Sequence, residues 1–139
     1  MNTTLIIDPS LMLRSPASAP CRARHPHGIA IDAPHKRLYV GGSNGKLVQI
    51  DLRERVVSSA LDIASDVDQI AFDSARHRLY CASGDGYISV VAINGNRPAL
   101  LANVRVPRGA HTLAVDPVTG AVWISYGTED RDYVMKLQP

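Results

Sequence analysis

The chain has 139 residues, 45% hydrophobic and 20% charged, which suits about one packed domain and excludes a disordered or collagen-like polymer. Fifteen Lys and Arg against thirteen Asp and Glu leave a net charge of +2, too even to single out nucleic acid or a membrane surface as partner. No run of roughly 18 to 20 apolar residues crosses a bilayer, and no basic-then-apolar leader opens the sequence. Cys21 and Cys81 match neither a disulfide framework nor a zinc spacing.

In chain order, the first 26 residues hold a strand-like stretch, Thr3 to Asp8, and then a Pro-, Ser- and Ala-rich segment expected to be a linker. That linker carries Arg14, Arg22 and Arg24, but no interleaved aromatics that would stack bases.

A repeat begins at His27. His27-Gly-Ile-Ala-Ile-Asp32 returns as Asp68-Gln-Ile-Ala-Phe-Asp73 and as His111-Thr-Leu-Ala-Val-Asp116, at offsets of 41 and 43 residues. Each copy continues through a four-residue turn into a second strand: Arg37-Leu-Tyr-Val-Gly-Gly42, Arg78-Leu-Tyr-Cys-Ala-Ser83, Ala121-Val-Trp-Ile-Ser-Tyr126. The aromatic slot is filled by Tyr39, Tyr80 and Trp123. A Gly-, Asn- or Asp-bearing turn leads to a third alternating run, and fourth runs follow at residues 55–61 and 99–106. The last copy has no fourth run.

No window holds a 3.6-residue apolar period, so the chain reads as all-β. Short strands in fours, repeating at these offsets, are the pattern of β-propeller blades, each of which must stack against neighbours to bury both faces. The expected organisation is blade 1 at 27–67, blade 2 at 68–110 and an incomplete blade 3 at 111–139. The Ala of each first strand suits the innermost position, where blades converge.

His27-Gly-Ile-Ala-Ile-Asp32 with Arg37-Leu-Tyr-Val-Gly41, and Asp68-Gln-Ile-Ala-Phe-Asp73 with Arg78-Leu-Tyr-Cys-Ala-Ser-Gly84, resemble the YVTN-repeat, YncE-like β-propellers of bacteria. The likeness covers about residues 27 to 137 and shares WD40-like blade features. It implies closed rings of six to eight blades in usually exported proteins, whose members serve as binding proteins, scaffolds, dehydrogenase subunits, lactonases or lyases.

Three blades form an arc with two uncovered ends. Expected solutions are a homodimer closing a six-bladed ring, a complementary propeller fragment, or an open sheet. Thr3 to Asp8 is expected to complete the third blade, in its own chain or a partner's.

The candidate ligand-binding set is His27, Asp68 and His111, which open equivalent inner strands around one mouth of the channel. The reading favours a non-enzymatic binding or assembly module for a small-molecule or protein ligand, without cofactor. The alternative is a metal-dependent lyase or lactonase in which His27, Asp68 and His111 hold zinc or a similar divalent ion. Against that alternative, inner strands fanning around a channel should keep the three apart. Asp32, Asp73 and Asp116 are expected to cap turns, Asp51 and Asp62 to end strands, and His35 and His77 to sit in solvent-facing turns. His25-Pro26-His27 is a low-information tract. Cys81 is expected in the core, and neither cysteine has the setting of a nucleophile.

Overall fold

The computed structural model describes the backbone of residues 3–8 and 13–20 and, with side chains, residues 22–138. Among these are thirteen strands and no helix. β3 (Pro26–Asp32), β4 (Arg37–Gly42), β5 (Lys46–Asp51) and β6 (Val56–Asp62) form one antiparallel sheet in sequence order. β7 (Val67–Asp73), β8 (Arg78–Ser83), β9 (Tyr87–Asn94) and β10 (Arg97–Arg105) form a second. β11 (Thr112–Val115), β12 (Val122–Gly127) and β13 (Asp132–Leu137) form a three-stranded third. The first strands touch one another, β3 against β7 and β7 against β11, and the fourth strands β6 and β10 touch farther out. This is the arrangement of propeller blades, with the Ala-bearing strands innermost.

β1 (Thr3–Asp8) pairs with β2 (Leu13–Pro20) in a separate two-stranded sheet, so β1 does not complete the third blade of its own chain, and the expected linker contains a strand. Composition hid β2 because two of its eight residues are proline. The ladder tolerates this: register shifts between Leu5 and Ile6, leaving Pro16 and Ala17 unpaired in a bulge. The pairing Asp8↔Leu13 repeats the spacing of Asp51↔Val56, so β1–β2 has the register of a third and fourth strand. β2 also lies against β6.

Each hairpin turn after an inner strand is built the same way. The Asp at the strand end accepts hydrogen bonds from the turn: Asp73 Oδ1 from the amides of Ala75 and Arg76, both at 3.1 Å, and Asp116 Oδ1 from Val118 and Thr119, at 2.9 and 3.3 Å. The turn ends on a left-handed residue, Lys36 (φ 56°), His77 (51°) and Gly120 (75°). Asp32 Oδ1 likewise accepts from the His35 amide, at 3.4 Å, and its Oδ2 also lies 2.8 Å from the ring of that residue, at His35 Nδ1. The three carboxylates therefore cap turns, as their position predicts. Asp51 does the same for Arg53 and Glu54, and Asp62 pairs with Lys46. His35 is not purely solvent-facing, since its ring also meets that of His77 edge-on at 6.3 Å.

The core lies between blades. Tyr39 and Leu47 of the first sheet pack on Ile70, Leu79, Cys81, Val91 and Ile93 of the second. Tyr80, Ala82 and Ile88 of the second pack on Leu113, Val122 and Ile124 of the third. Each fully buried Leu, Ile or Val contributes about 1.5–3 kcal/mol. Burial raises the Tyr39 phenol above its ordinary value, with the Asp32 charge adding to the effect. Burial likewise pushes the Cys81 thiol up to about 12, so Cys81 is a core residue without thiolate chemistry. Cys21 lies outside the described residues.

Blades approach most closely at the inner strands. A Cβ on Gly28 would sit 2.9 Å from Ile70 Cγ2 and 3.0 Å from Ile70 N, one of them backbone that cannot yield. Gly28→Ala should therefore cost about 1–3 kcal/mol in urea unfolding, as overpacking does. Thr112→Ala, in the equivalent slot of the exposed third sheet, should change stability by less than about 0.5 kcal/mol. Equal effects at the two positions would contradict this packing.

Two of the capping carboxylates also set an acid limb. Hydrogen bonds from backbone amides hold Asp51 below the ordinary aspartate range; at Asp116 the Thr119 hydroxyl contributes most, followed by the Val118 and Thr119 amides. A depressed folded-state pKa gives stability that is present above the unfolded value and lost as pH falls through the folded one. Asp116→Asn keeps an acceptor oxygen but no charge. It should be less stable than the parent at pH 7, and the gap should close as pH drops below about 4 in pH-resolved thermal melts.

Candidate channel-mouth site

The chain reaches each inner strand from the outer edge of the preceding blade and must turn sharply. The turning residue lies two before the candidate site residue in every copy, and each is left-handed: His25 (φ 42°), Asp66 (56°) and Gly109 (80°). Two of these amides are tied to the blade before, Asp66 N to Ser43 O and Gly109 N to Gly84 O, each at 2.9 Å. The bend and the tie together place the next-but-one side chain at the rim of the inner strands. His27 and Asp68 are the second residues of β3 and β7, and His111 immediately precedes β11.

The three converge, against the expectation that fanning strands would separate them. His27 Nδ1 lies 3.0 Å from Asp68 Oδ1, and His111 Nδ1 lies 3.3 Å from Asp68 Oδ2. Asp68 thus receives an imidazole from each side, one oxygen apiece. The close approach at Gly28 draws β3 against β7 and brings His27 to Asp68, and the packing of β11 on β7 brings His111. His27 Nδ1 is within hydrogen-bond reach of Asp68 and His111 Nδ1 makes a longer contact with it, so in both rings it is Nε2 that lies outside the contact. Asp68 is then a group that orients two imidazoles. Among the described residues no three His, Cys, Asp or Glu side chains form a metal-binding group.

His27, Asp68 and His111 line a shallow depression with Gln69 and Thr112. Gln69 also joins blades, its Oε1 accepting from Leu113 N at 3.0 Å. A second depression adjoins it through His111 and Thr112 and is walled by Ser125, Tyr126, Asp132 and Tyr133. The rings of Tyr126 and Tyr133 stack at 5.1 Å and 16°. Sequence reasoning missed this pair, although Tyr133 occupies the slot of Tyr87 at the start of a third strand. His25 does not join the site; its Nδ1 lies 3.3 Å from Ser43 Oγ. Arg22 and Arg24 are exposed, and the side chain of Arg14 lies outside the described residues.

No protein-family model matches the chain, and no curated protein matches it significantly. Solved structures do. Hydrazine synthase of Kuenenia stuttgartiensis is similar over 98% of this chain and 40% of its own, with a TM-score of 0.79 and 12% identity. The Cps50 (Swd1) β-propeller domain of Myceliophteria thermophila is similar over 80% of this chain and 37% of its own, at 0.66 and 19%. A chain of the mitotic checkpoint complex is similar over 81% of this chain and 36% of its own, at 0.66 and 13%. The chain thus spans about two fifths of these structures or slightly less. At such identities the likeness concerns the fold, and the fold is that of a partial β-propeller.

If Asp68 organises the mouth, Asp68→Ala should release both imidazoles. The two histidine ring environments should then change together in NMR, whereas His27→Ala should leave His111 still held by Asp68. Independent responses of His27 and His111 to Asp68→Ala would contradict the shared carboxylate.

Proposed function

We propose that the protein is a non-enzymatic β-propeller module of the YVTN-repeat type that associates through its two open ends. One observation carries this reading. Tyr39 and Tyr80 are 0% and 3% exposed because the following blade covers them, while Trp123, in the same slot, is 42% exposed. The neighbouring slot behaves alike: Leu47 and Ile88 are buried and Val134 is 72% exposed.

The opposite end mirrors it. Ile70 and Leu113, which receive the preceding blade, are buried, yet their equivalent Ile29 is 60% exposed, as is Ile31 beside it at 56%. Farther out on that same sheet Val40, Val48 and Ile50 are buried with Ala23. The chain therefore presents the two halves of an interface that it forms twice internally. Exposed apolar surface of this kind marks association.

The complementarity of the ends favours a second copy as occupant, joined head to tail; complementary blades from another chain would use the same surfaces. In a ring of two copies, β11–β13 of one would meet β1–β2 of the other. Both β13 and β1 have the register of a third strand, so closure would displace one of them. The likeness to a chain of the mitotic checkpoint complex, a propeller in an assembly, is in keeping with a protein-binding role.

Light scattering with and without Trp123→Glu tests the proposal. The parent should show twice the chain mass and the variant a single chain mass, still with one cooperative melt, at a midpoint lowered by loss of the association. A monomeric parent at tens of micromolar would exclude the second copy and require complementary blades. A variant that associates as tightly as the parent would overturn the role of this face.

A further inference from the structure

The two depressions at the channel mouth adjoin across a shared wall, His111 and Thr112, and are taken together as one grooved region. Its described lining contains no lysine or arginine. What it offers instead is uniform in kind. Asp68 and Asp132 supply carboxylates, the imidazoles of His27 and His111 lie against Asp68 with their Nε2 edges outside that contact, and Tyr126 and Tyr133 supply a stacked pair of π faces.

We propose that this groove binds an organic cation, an alkylammonium or guanidinium group. The inference deepens the reading of the protein as a binding module by giving its mouth a ligand class. Three physical features converge on it. A positive charge would sit between Asp68 and Asp132 without a competing cation in the lining. The Nε2 edges of His27 and His111, whose Nδ1 atoms lie against Asp68, line the same region and in the neutral ring accept from a donor N–H. The face of a tyrosine attracts an ammonium or guanidinium, and a planar guanidinium can also stack on it. Anionic ligands would meet two carboxylates and find no countercharge.

Such a cation has two sources, a free amine or a basic side chain of another polypeptide. The test is therefore a titration of the full chain, followed by NMR or calorimetry, with three probes: argininamide, the tripeptide Gly-Arg-Gly, and inorganic phosphate. Argininamide and Gly-Arg-Gly should bind and shift the His27, His111 and Tyr133 ring signals, and phosphate should not. Stronger binding of the tripeptide would identify a peptide ligand; equal binding would identify the free cation. Asp68→Asn should weaken argininamide at least 10-fold. Tyr133→Leu, at an exposed position that should not disturb folding, should weaken it about 2- to 5-fold, the range expected for a solvent-exposed cation–π contact.

Phosphate binding in place of argininamide would overturn the proposal, as would argininamide affinity unchanged in folded Tyr133→Leu and Asp68→Asn. Absence of binding by either cation to a protein whose oligomeric state is that predicted above would reject the cation site alone and leave the assembly reading standing.

Discussion

The structure depends on one constraint: a four-stranded blade has two apolar faces and can bury them only against other blades. Everything local serves that contact. Ala30, Ala71 and Ala114 keep the inner strands slim, and Gly28 lets β3 come within backbone distance of β7. Tyr39 and Tyr80 fill the widening gap farther out. The capped turns and their left-handed closing residues fix the register that brings these side chains to the shared face. Because the contact is repetitive, it also defines what an unfilled end looks like: the far face of the third sheet fits the definition, and on the first sheet the inner strand does, while Val40, Val48 and Ile50 farther out are covered.

The same constraint creates the channel mouth. A chain that passes from the outer edge of one blade to the inner strand of the next must bend, and it bends at equivalent left-handed positions tied to the previous blade. The residues just beyond the bends then face one another across blade boundaries. His27, Asp68 and His111 are distant in sequence, and these bends together with the packing of neighbouring inner strands make them adjacent in space. Their chemistry follows from their order: a carboxylate between two imidazoles orients both.

The blades could be read from the sequence because their signals are local. The Asp at each strand end, the apolar-Ala-apolar run and the aromatic slot recur at fixed offsets, and the equivalence of His27, Asp68 and His111 came with them. Contact among the three could not be read, since it arises from the packing of β3 and of β11 against β7. The strand at Leu13–Pro20 was obscured by proline, although the five-residue step from Asp8 to Leu13 matches that from Asp51 to Val56. Tyr126 and Tyr133 were invisible as a pair because only the β12–β13 register sets them opposite each other.

The most direct test of the open-end account uses the chain's only tryptophan, Trp123, which lies on the exposed face. Its fluorescence emission should be that of a partly solvated indole in dilute protein and should shift to shorter wavelength as concentration or a complementary partner drives the ends together. Emission from a fully buried indole at the lowest concentrations, with a monomeric mass, would contradict the account.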